Sequence, residues 1–352
     1  MTLDDIRRKI DKIDRALLVL LQERMGLAIQ SKKFKATVVD PKREEVVLAR
    51  AERMNLALVE RSFARQLLGT IIEESKRLQN ENRKLVAFQG EHGAYGEVAS
   101  RRLVPGGAYI PCMEFVDVFT GVEQGYYDLG VVPVENSLEG AVTQVNDLLT
   151  TTRLNVINEV KVPVNHCLLA PQETSLGEVR VVYSHPQALA QCNRFLLNNK
   201  IEPRPYYDTA GAAKMLAREN PRASAAIASA LCAELYDLEI LSKGIEDGAA
   251  NHTRFLLLSR EAFTGHGGKT SIIFATAHEA GQLFRVLRLF AEAQINLTRI
   301  ASMPLRSDPG NYSFFLDCEG DVKDEKLAGV MKRLKEMTIQ IKFLGSYPAH
   351  NE

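Results

Sequence analysis

Apolar residues at positions 6, 10, 13, 17, 20 and 27 recur every three to four places, the spacing of one helical face. Nothing in residues 1–84 competes with that pattern: Gly stands only at 26 and 69, and Pro only at 41. Asp40-Pro41 predicts a second helix start, since Asp accepts hydrogen bonds from free amides and Pro fits the first turn. A third helix is expected from about Phe63 to Gln79. So long a stripe on so few helices predicts a helical dimer.

The period changes at Lys84. LVAFQG reads as a short strand, and from there to about 260 strand-like runs alternate with helical patterns. DLGVVPVE, NVINEVKVPVNHCLLA, EVRVVYSHP, ASAAIASALCAELY and TRFLLLS carry this texture. The span has room for two lobes with a cleft between them. Phe263 to Lys269 holds three Gly and reads as a linker. The remainder runs strand, helix, strand, strand, helix, strand, which fits a ferredoxin-like module. The expected fold is multidomain: an all-α segment at 1–84, a two-lobed α/β segment at 85–262 and an α+β segment at 269–348.

Composition narrows the classes. Apolar residues are 45% and charged residues 25%, which excludes global disorder. Lys plus Arg and Asp plus Glu are each 44, so overall charge gives no reason to expect nucleic acid or an acidic membrane. Residues 1–84 nevertheless carry 19 basic against 13 acidic side chains. That excess reads either as a solvated face or as a site for anions. No apolar run near the start approaches the ~20 residues of a membrane span. The charged opening MTLDDIRRKIDKIDRALL lacks a signal peptide's apolar region. The five cysteines (112, 167, 192, 232, 318) form no CxxC and no zinc spacing, so reduced buried thiols in a cytoplasmic protein are expected.

On the first helix the stripe holds polar residues at Arg24 and Ser31. Arg24 and Lys35, eleven residues apart, fall on nearly one face of that helix, ~16 Å apart, and can converge on a small ligand between them. The alternative is that both reach out to water. Arg7, ~25 Å from Arg24 along the axis, would serve the site of a partner chain. Ser75 and Gln79 share a face and interrupt the stripe Phe63, Leu67, Ile71, Leu78; solvated helix ends would also explain them.

The segment IRRKIDKIDRALLVLLQERMGLA…KKFK…VDPKREE…IIEESKRLQ resembles the all-helical chorismate mutase family, whose members are intertwined dimers. Resemblance implies active-site positions for Arg7, Arg24, Lys35, Asp40, Arg43, Glu44, Ser75 and Gln79. Lys35 and Gln79 would donate to the ether oxygen and Glu44 would accept from the ring hydroxyl, these three being catalytic. Arg7 from the other chain, Arg24 and Arg43 would neighbour the carboxylates and hydroxyl, with Ser75 also binding substrate. Asp40 is equally explained as a helix cap. The reaction is a concerted shift in a dianion, so holding the reactive shape and stabilising charge suffice.

Four polar motifs end strand-like runs in the middle segment: GEHGAYG, PVENSLEG, SHPQALAQC and NHTRF. Each alone reads as a turn or a strand entry. Together they sit where α/β ligand clefts form, and they resemble prephenate dehydratase over roughly 85–262. That family has two lobes of the periplasmic-binding-protein type. The resemblance implies that Glu135, Asn136, Ser137, Ser184, Gln191, Arg254 and Phe255 bind substrate and that Thr253 is catalytic, donating toward the departing ring hydroxyl. His185 and His252 are nominally better acids, but His185 reads as structural. One departure is Gly96, where the family's first motif ends Tyr-Ser.

GQLFRVLRLFAEAQINLTRIASMP followed by NYSFFLDCEG resembles the ACT regulatory domain of dehydratases. Such domains pair between chains and bind an amino acid at the interface, phenylalanine in dehydratases. Gly281, Leu283, Ser302 and Pro304 are the implied effector positions. Ala301 and Met303 stand where the family has Glu and Arg. A purely dimerising module is the alternative.

The combined reading is a bifunctional enzyme turning chorismate into prephenate and prephenate into phenylpyruvate. It would be a dimer or tetramer, feedback-regulated by phenylalanine, with no cofactor or metal. A non-catalytic sensor, and an enzyme whose cleft is disabled at Gly96, remain the other readings.

Overall fold

The computed structural model describes residues 2–248, 251–277, 279–304 and 312–349. The chain forms two compact units, residues 1–85 with 106–110, and the rest.

The first unit is built on α1 (Leu3–Ser31), α2 (Pro41–Arg53) and α3 (Arg61–Asn80). Thr2 caps α1 through a reciprocal pair with Asp5, and Asp40 with Pro41 starts α2 as expected. Over its 29 residues α1 has no buried side chain. Its apolar stripe, Ile6 to Leu27, is 40–66% exposed at Ile6, Ile10, Ile13, Leu17, Leu20 and Leu27.

Beyond the three helices, the described residues form three sheets. The further elements are β1 (Leu85–Gln89), α4 (Tyr95–Leu103), β2 (Ala108–Cys112), α5 (Phe115–Glu123), β3 (Leu129–Asn136), β4 (Gly140–Ala141), α6 (Thr143–Thr151) and β5 (Asn155–Pro163). These are followed by β6 (Cys167–Ala170), β7 (Val181–Ser184), α7 (Pro186–Gln191), α8 (Asn193–Asn199), β8 (Glu202–Pro205), α9 (Thr209–Glu219), β9 (Ser224–Ala228), α10 (Ala230–Tyr236), β10 (Glu239–Lys243) and β11 (His252–Ser259). Last come β12 (Lys269–Thr276), α11 (Gln282–Glu292), β13 (Leu297–Pro304), β14 (Tyr312–Glu319), α12 (Glu325–Met337) and β15 (Gln340–Tyr347).

One lobe is the sheet β2-β1-β3-β11-β5, and the other is β10-β6-β9-β7-β8. The chain crosses between them twice, after β5 and before β11. At the crossing Val164 N–H donates to the Asn251 carbonyl at 2.8 Å. This is a two-strand hinge. The third sheet, β13-β14-β12-β15, has the strand order of a ferredoxin-like fold, matching the order expected from the sequence. Its helices α11 and α12 close one core with Phe274, Phe290 and Leu316. Its other face shares a core with the first lobe: Ile273, Met303, Phe315, Leu344 and Tyr347 pack with Val132, Val156 and Leu256. Gly345, at φ +152°, permits that approach, since a Cβ there would lie 2.2 Å from the Val156 carbonyl oxygen. All five cysteines are buried free thiols, and no described helix is long and apolar enough to cross a membrane.

Candidate active sites

In the helical unit, Arg24 of α1 donates to Ser75 Oγ of α3 at 2.6 Å, and Ser75 Oγ donates to the Ile71 carbonyl at 2.7 Å. Burial holds the Arg24 guanidinium below its ordinary value. One turn beyond Ser75, Gln79 is buried, and its Oε1 has no hydrogen-bond partner among the described residues. An unmet buried amide oxygen is costly, so a hydrogen-bond donor arriving here is readily accepted. Glu44 of α2 lies 3.2 Å from Lys76 Nζ of α3. Asp40 Oδ1 accepts from Arg43 N–H at 3.0 Å and so acts as the cap.

One position differs from the expected convergence. Lys35 does not share a helical face with Arg24: α1 stops at Ser31, a 3₁₀ turn covers Lys32–Phe34, and Lys35 is extended and exposed. The β-branched run Thr37-Val38-Val39 and the coming Asp40-Pro41 disfavour continuing the helix. Arg7 is exposed and pairs with Asp4 at 3.6 Å. Arg43 is exposed on the first turn of α2.

In the second unit, two adjoining cavities of about 290 and 410 Å³ share Gln89, Tyr95, Asn136, Gln187, Asp208, Thr209 and Thr253. They lie where β1 and β3 end, the usual place for a ligand cleft. Gln191 lines one and Phe255 and Gly96 line the other. Asn136 organises the first lobe's wall. Its Nδ2 donates to Thr253 Oγ1 at 2.9 Å and to Asn251 Oδ1 at 2.7 Å, while its Oδ1 accepts from the amides of Leu138 and Glu139. Because Thr253 Oγ1 accepts from Asn136, its own hydrogen is left to donate elsewhere.

Strand alternation divides the TRF motif. Thr253 and Phe255 face the cleft, whereas Arg254 turns to the opposite side. There Arg254 lies 2.7 Å from Glu159 Oε2, 3.1 Å from Tyr347 Oη and 3.5 Å from Glu135 Oε1, and also pairs with Asp317. Burial alone would lower this guanidinium; Asp317, Tyr347 and Glu159 overcome it and raise it. Glu135 is also 2.8 Å from Arg299 Nε of β13, whose guanidinium stacks 4.2 Å over the Phe315 ring. Arg254 and Glu135 thus join the first lobe to the third sheet; neither lines the cavities. Nor do Ser184, which is fully buried and donates to the Ile227 carbonyl at 2.6 Å, or Ser137, whose Oγ accepts from His252 N–H at 3.0 Å.

The loop 90–94 is braced from both lobes. Glu97 is buried, accepts from Gly93 N–H at 2.8 Å and pairs with Arg101 at 2.7 Å. Ser229 Oγ donates to the Gly93 carbonyl, and Tyr236 Oη donates to the His92 carbonyl at 2.8 Å. This sets Tyr95, whose hydroxyl donates to the Asn165 carbonyl at 2.7 Å. Sequence reasoning passed over Tyr95, His166, Asp208 and Asn251. Asn251 lay within NHTRF and Tyr95 within GEHGAYG, so the motifs held the signal.

Of the effector positions, Gly281 caps α11 at φ +82°, Leu283 packs on the third sheet's helix-side core, and Ser302 is exposed on β13. The side chain of Pro304 lies outside the described residues. Met303 is buried in the core shared with the first lobe.

The family model for prephenate dehydratase matches residues 86–263, and that for chorismate mutase type II matches residues 6–80. The bifunctional chorismate mutase/prephenate dehydratase of Aquifex aeolicus is 36% identical over 356 residues, covering 98% of this chain and 98% of that protein. An arogenate dehydratase/prephenate dehydratase of Arabidopsis thaliana is 41% identical over 286 residues, 78% of this chain and 75% of its own length. Among solved structures, prephenate dehydratase of Arthrobacter aurescens in complex with L-Phe is 30% identical with TM-score 0.69, covering 75% of this chain and 90% of that one. A quorum-quenching acylase, GqqA, is 35% identical with TM-score 0.71, covering 76% and 98%.

Proposed function

Because the chain belongs to the bifunctional chorismate mutase/prephenate dehydratase family, and so carries a mutase and a dehydratase of phenylalanine biosynthesis, we propose how its residues divide that work. The mutase site is centred on Arg24, Ser75 and Gln79, with Glu44 from α2. Arg24 holds a carboxylate of chorismate and the Nε2–H of the buried Gln79 amide donates to the ether oxygen, where charge builds. Lys35, Arg43 and Asp40 complete the site from the segment that follows α1. Arg7 enters from a second copy, which also covers the uncovered stripe of α1; the functional state is therefore at least a dimer.

The dehydratase site is the two-lobed cleft. Prephenate loses its ring carboxylate as carbon dioxide, and the electron pair left behind aromatises the ring as hydroxide departs and takes one proton to become water. The observation that carries this reading is the Asn136–Thr253 hydrogen bond, which leaves the Thr253 hydrogen available to the departing hydroxyl. With Arg254 on the other face of β11, substrate carboxylates are held by neutral donors, Gln191 among them, while Asn136 serves the site by orienting Thr253. Ser137 and Ser184 support the walls. Phe255 packs on the substrate ring.

Phenylalanine is the proposed effector, bound at Gly281, Leu283, Ser302 and Pro304 between paired third sheets. The Arthrobacter relative with L-Phe supports this. Product analysis with chorismate alone tests the whole reading: phenylpyruvate is the expected end product, and prephenate accumulating in its place would overturn the dehydratase half. Ser75→Ala tests the helical site more narrowly. It removes the hydroxyl that orients Arg24, so the mutase KM should rise about tenfold with little change in dehydratase turnover of added prephenate.

A further inference from the structure

His166, on the hinge between the lobes, has no part in the reading above. It is 3% exposed, yet it borders the cleft. Its main chain is pinned: the amide donates to Glu246 Oε2 at 2.9 Å, and the carbonyl accepts from the amides of Gly244 and Ile245. Its ring faces two groups. Nε2 lies 2.9 Å from Gln191 Oε1, and Nδ1 lies 3.4 Å from the Tyr95 hydroxyl.

Gln191 Oε1 also accepts from Asn251 Nδ2 at 3.2 Å, and Gln191 Nε2 donates to Glu139 Oε1 at 3.0 Å. With Asn136 Nδ2 donating to Asn251 Oδ1 and Glu139 N–H donating to Asn136 Oδ1, the bonds close into a ring. Each amide in that ring has one workable orientation, since turning any of them sets donor against donor or acceptor against acceptor. The ring therefore presents an oxygen of Gln191 to His166, and the imidazole must carry its hydrogen on Nε2. Burial lowers the basicity of His166, in keeping with a neutral imidazole.

We propose that His166 is a positioning residue of the dehydratase cleft: from the hinge, its Nε2–H fixes the Gln191 carboxamide with the NH₂ end toward the substrate. Two donors, His166 and Asn251, converge on one oxygen. The amide hydrogens of Gln191 are then left to face the cleft, where at present one is held by Glu139. A bound prephenate takes that hydrogen bond in place of the Glu139 carboxylate. Because the two donors come from the two hinge strands and Gln191 from the second lobe, the alignment holds only when the hinge brings these groups together. The proposal rests on the reading of Gln191 as a substrate-binding residue.

The test is steady-state dehydratase kinetics of the full chain with added prephenate. His166→Leu should lower kcat/KM about tenfold, the worth of one lost hydrogen bond in a dry site. His166→Gln, whose Nε2 extends to where the ring Nε2 lies, should restore most of it. His166→Asn, whose amide ends nearer the position of Nδ1, should not. In a Gln191→Ala background, His166→Leu should cost nothing more. Equal losses in His166→Leu and His166→Gln, no loss in His166→Leu, or an undiminished cost in the Gln191→Ala background would each overturn the proposal. Wild-type kinetics for Gln191→Ala alone would instead overturn the reading of Gln191 on which it rests.

Discussion

Arg254→Ala is expected to destabilise the second unit by about 3–5 kcal/mol, the range for stripping one partner from a buried ion pair. Arg254 is 3% exposed, and it sits between Glu159 and Asp317, which are 3% and 0% exposed. Removing the guanidinium leaves those two carboxylates facing each other across a dry gap. Lys269 still reaches Glu159 Oε1 at 2.5 Å and Ser271 still donates to Asp317, so the loss is partial compensation rather than collapse. Urea unfolding followed by circular dichroism measures it; the chain has no Trp to report by fluorescence. A substrate clamp would behave differently. Were Arg254 a ligand of prephenate, the alanine variant would keep its unfolding midpoint and show a raised KM. A double variant, Arg254→Met with Asp317→Asn, should recover part of the stability, because Asp317 then leaves no uncompensated charge and Glu159 keeps Lys269.

The division of the TRF motif explains what the sequence could and could not deliver. Three adjacent residues in a matched motif invite a single role for all. A strand does not allow it: Thr253 and Phe255 face one side and Arg254 the other. That alternation was legible in the sequence, but the resemblance carries whole motifs and so assigned Arg254 to substrate with its neighbours. The strand and helix order of the last segment was fully legible, because most apolar runs there are bounded by Gly, Asn or Asp and have a clear period. What it packs against was not. The second face of that sheet is covered by the first lobe through Met303, Phe315 and Tyr347, residues far apart in the chain from Val132 and Val156. No local pattern carries such a contact.

Lys35 shows the same limit at shorter range. Extending the α1 stripe by eleven residues assumed a continuous helix, and the β-branched run before Asp40-Pro41 was the available sign that it ends. His166 and Asn251 were missed for a further reason. Both act through other side chains, and a hinge residue gains its meaning only when two strands, separated here by most of the second lobe, return to the same place. The departure at Met303 also acquires a physical sense. A residue buried between two sheets cannot be an unpaired arginine without cost, and an apolar side chain fits that core.

Thr253→Val is expected to lower dehydratase kcat by about 10²–10³, the range for losing a positioned donor at developing negative charge. Valine keeps the shape and β-branching of threonine and removes only the hydroxyl, so β11 should retain its pairing with β3 and β5. Asn136 Nδ2 loses one acceptor but keeps Asn251 Oδ1 at 2.7 Å and the His252 carbonyl at 3.3 Å. The cleft wall should therefore stand. Thr253→Ser, which keeps the oxygen and its hydrogen, should hold kcat within about threefold of wild type, in line with a role for the hydroxyl rather than for packing. The mutase turnover of chorismate in the same polypeptide is the internal reference and should not move. The distinguishing readout is kcat at saturating prephenate, because a donor that acts as hydroxide departs contributes to the transition state more than to binding. A valine variant with an intact kcat and only a raised KM would reduce Thr253 to a substrate contact. The proton for the departing hydroxide would then have to come from another cleft group, with His185 on the second lobe's wall the first to test.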